Sequence, residues 1–485
     1  MMLFAARKAQ KACGIHWIPA DFGGPFRDSS SAGSEAFMFM GDLQMTQRRH
    51  RDSRTVRVRR SPSRYLGLAC ALAIVVMAAF TADHAATYTV TTTADLPGPT
   101  CGIPCSLRQA IAAANGAGGT NVIAFAINGT FSLTTATELR VTASPSQTLT
   151  LLGNGSKNTV IDGGGTSRVL AIDSGAIVSL TGITITNGNA GPGGDGGGIL
   201  NLGTLAVSDS DITGNSAGVS GGGISSSGTA TLNITNSFIT SNSAGVGGGG
   251  VRNGTGCTLT VTRCTLSDNS AGIVGGGVVS GGDSTLLITN STLSGNSVSG
   301  AGGGGGIATQ GQSIVSNCTI TGNTAEDHGG GIAIGAAIGR LPGMLTLRNS
   351  VVSGNIVSGS GKANDGGGIN NGSTLIVDHS FIIDNSARRD GGGIANEGGA
   401  ITTVTRSTIT GNSAGHDGGG ITNEIAGSPP NAVTLTATTV SGNTARHVGG
   451  GIFNATGTVA LSKSSIVQNT PDNCSPTGSV PGCID

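Results

Sequence analysis

Gly-Gly-Gly followed by Ile or Val recurs ten times along this chain, and no other feature limits its fold so tightly. The aliphatic residue falls at Ile199, Ile224, Val251, Val278, Ile307, Ile332, Ile369, Ile394, Ile421 and Ile452. A second marker keeps the same beat: an aliphatic residue three positions before an Asn, with Asn at 215, 242, 269, 296, 323, 355, 385, 412, 443 and 469. The first four intervals are 27 residues each and the later ones run from 26 to 32. Such a period means stacked copies of one small unit, each burying a face that its neighbour supplies.

The chemistry of the unit selects the architecture. Each repeat holds three short stretches of alternating apolar and small polar residues, such as Gly223-Ile224, Thr231-Leu-Asn-Ile-Thr235 and Ser237-Phe-Ile-Thr240. Val, Ile and Thr at period two favour strands. Gly, Asn and Ser punctuate them where corners need positive φ. Three strands in about 27 residues make one coil, each strand pairing in parallel about 4.8 Å above its counterpart. The expected fold is all-β: a right-handed parallel β-helix of about ten clear coils plus a few irregular ones. A leucine-rich solenoid needs a Leu lattice that is missing, and a propeller blade needs about 40 residues.

Two polar columns accompany the apolar ones. The stacked Asn residues read as an internal hydrogen-bonded ladder rather than a ligand site. Five residues before each Asn runs Ser210, Ser237, Cys264, Ser291, Cys318, Ser350, Ser380, Ser407, Thr438 and Ser464. Cys264 and Cys318 stand two coils apart in that small-residue stack, roughly 10 Å, too far for a disulfide, and read as core thiols. Cys257 looks unpaired.

The formal charge of zero conceals two different regions. Residues 1–86 hold 12 of the 26 basic and 6 of the 26 acidic side chains, so residues 87–485 carry a net charge of −6. That sign gives no reason to expect nucleic-acid binding. The basic run Arg48–Arg64 precedes Tyr65–Ala82, eighteen residues without a charge, which reads as an export signal over 45–86. The same apolar length just spans a bilayer, so a retained membrane anchor stays open beside cleavage. Residues 1–44 hold the only Trp, five of the eleven Phe and no repeat; translation beginning at Met45 is the expectation.

A solenoid's end coils expose unpaired edges and need caps. Over 87–120 the expected cap is a strand from Tyr88 to Thr93 and a short helix from a Ser106-Leu-Arg-Gln109 capping box through Ala114. The β-helix proper is placed at 121–470 and a closing tail at 471–485. In an oxidising compartment Cys101–Cys105 and Cys474–Cys483 are the candidate disulfides.

Cys105-Ser-Leu-Arg-Gln-Ala-Ile111 resembles the N-terminal CSLREA motif of bacterial exported β-helix proteins, with Gln109 in place of Glu. The Gly-Gly-Gly-Ile and Asn units are similar to those of pectin-lyase-like β-helix proteins and of chlamydial polymorphic outer-membrane proteins. The latter typically carry Phe before x-x-Asn, here mostly Ile or Leu, and a C-terminal barrel. Asn473-Cys474-Ser-Pro with Pro481-Gly-Cys483 is similar to choice-of-anchor domain proteins. Together the resemblance covers about 87–485. It implies an exported, surface-associated bacterial protein and brings no agreed activity.

Polysaccharide-cleaving β-helices place carboxylates on adjacent coils, where stacking brings them to one sugar or one calcium. One charge cluster stands in register here, in the corner before Gly-Gly-Gly: Glu326-Asp-His328, Asn364-Asp365, Arg388-Arg-Asp390, His416-Asp417 and Arg446-His447. Asp365, Asp390 and Asp417 form one column, with carboxylates about 5 Å apart that need a cation, neighbouring Arg and His, or protonation. The functional reading puts calcium between the three Asp, an acidic sugar on Arg388 or Arg389, and proton transfer on His416 or His447. The competing reading is a solvated structural corner, which the scarcity of aromatic stacking platforms favours: residues 87–485 hold only Tyr88, Phe125, Phe131, Phe238, Phe381 and Phe453.

The leading functional expectation is therefore a monomeric, exported surface or secreted scaffold, adhesin-like and without catalytic activity. It needs no cofactor beyond the candidate calcium, and its partners would be a polysaccharide or a host or cell-surface ligand. The alternative is a polysaccharide lyase or glycoside hydrolase using the corner, roofed by insertions at Gly335–Gly343 and Ser358–Asn364. An autotransporter passenger is disfavoured because the repeat runs to within about fifteen residues of Asp485, short of a membrane barrel.

Overall fold

A computed structural model of the chain describes residues 86–143, 147–335, 343–359, 365–424, 430–455 and 457–485. The upstream extension and the signal or anchor segment lie outside them, as does most of both proposed roofing insertions.

Every paired strand among the described residues runs parallel to its neighbour, and the strands stack into four sheets. One representative coil follows from the residue types. Thr204–Ser208 lies in a first sheet of 14 strands, Asp211–Thr213 in a second of 13, Ser216–Ala217 in a third of nine, and Ile224–Ser226 in a fourth of 13. Alternation then points Leu205, Val207, Ile212 and Ile224 inward, each at most 1% exposed. Register is held to one coil period: Leu205 pairs with Leu232 and Ile212 with Ile239. The all-β parallel solenoid expected from the repeat is what forms. The coil differs in one respect: nine coils add the two-residue strand after the Asn, where Ser-Ala or Thr-Ala in most repeats is long enough for a bridge but too short to read as a strand.

The corners explain the small residues. The residue before each Asn of the ladder has positive φ, as at Gly214 (φ 65), and so does the residue before each Ser of the small-residue column, as at Asn236 (φ 49). In the Gly triplet the first residue has positive φ, 67° at Gly221, and the others have no room for a side chain. A Cβ on Gly222 or Gly223 would meet the carbonyl oxygen of Gly249 or Gly250 at 2.5 and 2.6 Å. Consecutive triplets thus pack backbone on backbone.

Both polar columns are ladders. Asn242 Nδ2 donates to Asn269 Oδ1 (3.0 Å) and to the Ile212 carbonyl (2.9 Å), and the Asn242 backbone N–H donates to the same Oδ1 (3.1 Å). The pattern repeats from Asn215 to Asn469 and ends on Asn473. In the Ser column each serine hydroxyl accepts the N–H of the previous coil, as Ser237 Oγ does from Ser210. Cys264 and Cys318 fill that column as buried free thiols, their sulfurs 3.2 and 3.1 Å from the Thr262 and Ser316 carbonyls. Burial pushes both thiols up, and likewise Cys257.

Helix α1, Leu107–Ala117, covers the first coil and runs a turn beyond the expected Ala114. Ser106 and Gln109 form the capping box, and Leu107, Ala110, Ile111 and Ala114 join the core. Arg108 fixes the cap by pairing with Asp95 at 2.7 Å and donating to the Thr137 and Glu138 carbonyls. The strand Ala86–Val90 belongs to the first sheet rather than to a separate cap, pairing with Thr120–Phe125. Cys101–Cys105 and Cys474–Cys483 are both bonded, and Cys474–Ser475 adds the last strand of the fourth sheet. Among the described residues no helix is long and apolar enough to cross a membrane.

Candidate functional site

The fourth sheet carries a trough on its outer face. One rim is the corner before each Gly triplet, the other is the turn after each three-residue strand of this sheet, and the floor is the middle, outward residue of the strand. Over Ser220–Gln310 the trough is open: Ser220, Val246 and Val274 form one rim, Thr255 and Gln310 the other, and Arg252, Val279 and Ala308 the floor. The cavity measures about 320 Å³.

Further along the stack the same trough is bridged by charge. Asp365, Asp390 and Asp417 sit on the first rim, one above the other, with at most 7% exposure. Each caps the next coil: Asp365 Oδ1 accepts the Asp390 N–H (3.1 Å), Asp390 Oδ1 that of Asp417 (2.8 Å), and Asp417 Oδ1 that of Val448 (3.3 Å). Asp195 does the same for Ser220 many coils earlier. Arg389 supplies the cation the column needs. Its guanidinium is bidentate on Asp365 (2.9 and 2.8 Å), reaches Asp390 at 2.7 Å, and crosses the trough to Glu424 at 3.3 Å. A calcium ion on the three Asp would have to displace these donors.

Two carboxylates of the bridge were not foreseen from sequence. Glu397 and Glu424 stand on the opposite rim, each directly after an inward Asn of a fourth-sheet strand. Asn370 Nδ2 donates to Glu397 Oε1 at 3.0 Å, and a carboxylate oxygen of Glu397 lies within 4.8 Å of Asp365 and a His328 nitrogen. The signal was available: Asn396-Glu397 and Asn423-Glu424 recur at the ladder period of 27 residues. That second inward ladder, in which Asn371 donates to Asn396 and Asn396 to Asn423, was itself hidden because Ser, Thr and Ile alternate with Asn in it.

Three carboxylates contact the Arg389 guanidinium and a fourth, Glu397, hydrogen-bonds to Asp365, and the proton balance follows. Burial first, then the Asp365 charge and a hydrogen bond to it, pushes Glu397 up to about 8. Burial and Asp390 push Glu424 to about 7. Burial also raises Asp365, with Arg389 pulling it back. Glu397 is therefore largely a carboxylic acid at neutral pH, hydrogen-bonded to Asp365. The arrangement can donate a proton at the trough's closed end.

The remaining expected residues sit on the outside of the corner. His416 Nδ1 lies 3.2 Å from Asp390 and 3.0 Å from Asp417, and its ring centroid is 4.0 Å from that of His447. Both His are exposed, and Arg388 is exposed beyond them, outside the ion pairs of the bridge. Arg389 rather than Arg388 carries the charge chemistry.

No protein-family model matches this chain, and no curated protein does. A search of solved structures returns a mannuronic acid specific polysaccharide family 6 lyase enzyme from human gut microbiota. It has 11% sequence identity and a TM-score of 0.40, over 78% of this chain and 87% of the lyase. At that distance the likeness is one of backbone course alone.

Proposed function

We propose that this chain is an exported, surface-displayed or secreted solenoid that holds an extended saccharide in its trough without cleaving it. The observation that carries this reading is the open stretch over Arg252–Gln310. A floor of Val279 and Ala308 beside the Arg252 guanidinium, lined by hydroxyls and amides, suits a sugar's mixed faces. The non-catalytic part rests on the bridge. Asp365 and Asp390 are spent on Arg389 and on backbone N–H groups, which leaves them structurally committed.

The test uses the full chain against a panel of neutral and acidic polysaccharides, reading binding by calorimetry and products as new reducing ends or unsaturated sugars. Binding without products, weakened at least tenfold by Val279→Arg on the trough floor, is the expected result. Binding unchanged by that substitution would remove the trough from the account.

One observation favours a second reading, general-acid cleavage: Glu397 holds its proton to about pH 8 at the trough's closed end. Products that disappear in Glu397→Gln would make that reading the correct one.

A further inference from the structure

We infer that His416, Asp417 and His447 form a binding site for a zinc-class transition-metal ion on the outer corner of the solenoid. One donor atom from each lies within 4.8 Å of the others. A tetrahedral ion with bonds of about 2.0–2.2 Å wants its ligand atoms roughly 3.3 Å apart. His416 Nδ1 and Asp417 Oδ2 already stand 3.0 Å apart, and the two imidazole rings, tilted by 58°, lie 4.0 Å apart between centroids. A change of exposed side-chain rotamer covers the rest.

The backbone beneath the three residues is held, so the site does not depend on ordering a loose loop. The His416 N–H donates to the Arg389 carbonyl (2.8 Å) and the His447 N–H to the His416 carbonyl (2.9 Å), which fixes the rings one coil apart. Asp417 is anchored through Oδ1 by the Val448 N–H, so its Oδ2 is the atom left facing His416. Water can complete the coordination, because His416 is 47% exposed.

Ligand chemistry selects the ion. Two imidazoles and one carboxylate suit zinc, nickel or copper, whereas calcium wants six to eight oxygens. Among the described residues a second donor group, His328 and Asp365 with Glu397 from the opposite rim, has the Arg389 guanidinium bound to its Asp365, and that cation stands against a second one. The inference is independent of any saccharide in the trough.

The experiment titrates zinc chloride, then cobalt(II), into the full chain carrying no polyhistidine tag, in the presence of excess calcium. One ion per chain is expected, with cobalt showing the visible absorption of a tetrahedral site containing nitrogen ligands. His447→Ala, at an exposed position, and Asp417→Asn, which keeps an acceptor for Val448, should each weaken binding at least tenfold. Their circular dichroism and melting without metal should match the parent. Equal zinc affinity in both variants, competition by calcium at comparable concentration, or no binding by the parent would each overturn the site.

Discussion

The Asn ladder and the Asp corner are two columns doing one job with different side chains. In both, an oxygen accepts the backbone N–H of an adjacent coil. An amide also carries donors, so each Asn passes a hydrogen bond onward and the column continues for ten coils without outside help. A carboxylate only accepts. The Asp column therefore runs for three consecutive coils, and only where Arg389 and a retained proton balance it. A side chain that both donates and accepts can be repeated without limit, whereas one that only accepts must be matched locally.

The sharpest way to break this comparison is to put the second chemistry into the first column. Asn296→Asp would bury a carboxylate that can no longer donate to Asn323 Oδ1 or to the Leu266 carbonyl. A loss of about 4 kcal/mol or more is expected, with faster hydrogen exchange in the coils on either side. Unchanged melting would mean that the ladder's donors contribute little.

Next in size, Arg389→Met removes the cation and leaves Asp365 and Asp390 buried with like charge. The cost should be about 3–5 kcal/mol near neutral pH. It should shrink on acidification, because protonation then relieves the pair. A denaturation series whose deficit is the same at pH 5 and pH 8 would show that Arg389 acts by packing rather than charge.

The smallest effect concerns the retained proton. Glu397 has a folded-state value of about 8 against 4.5 in the unfolded chain. Its contribution is fully present below 4.5 and is lost as pH rises through 8. Glu397→Gln should therefore flatten the stability profile between those limits and gain about 1–2 kcal/mol at pH 8. A variant with the parent's pH profile would place the proton elsewhere in the bridge.

Why the ladders differed in legibility follows from the same physics. From Asn215 to Asn469 every coil keeps the amide that both donates and accepts, so the column stood unbroken in the sequence together with the buried aliphatic residue three places before it, from Ile212 to Ile466. The fourth sheet's inward column tolerates Asn, Ser, Thr and Ile, since any of Asn201, Ser226, Thr309 or Ile334 fits, and it went unread. At the corner, the Asp register and the neighbouring Arg and His were legible. What could not be read was which Arg turns inward, and that Glu397 and Glu424 reach back across the trough, because rim-to-rim contacts join residues 35 apart from opposite ends of a strand.

Uniform spacing from Asn215 to Asn323 has one more consequence, for the gene rather than the molecule. Excising residues 243–269 would join Asn242 to Ser270 and leave every column in step, giving a rod shorter by about 4.8 Å. Unequal recombination between repeats can therefore lengthen or shorten this protein by whole coils while both capped ends stay intact. Since the open trough lies over these interchangeable coils, the same event would lengthen or shorten the trough by one coil at a time.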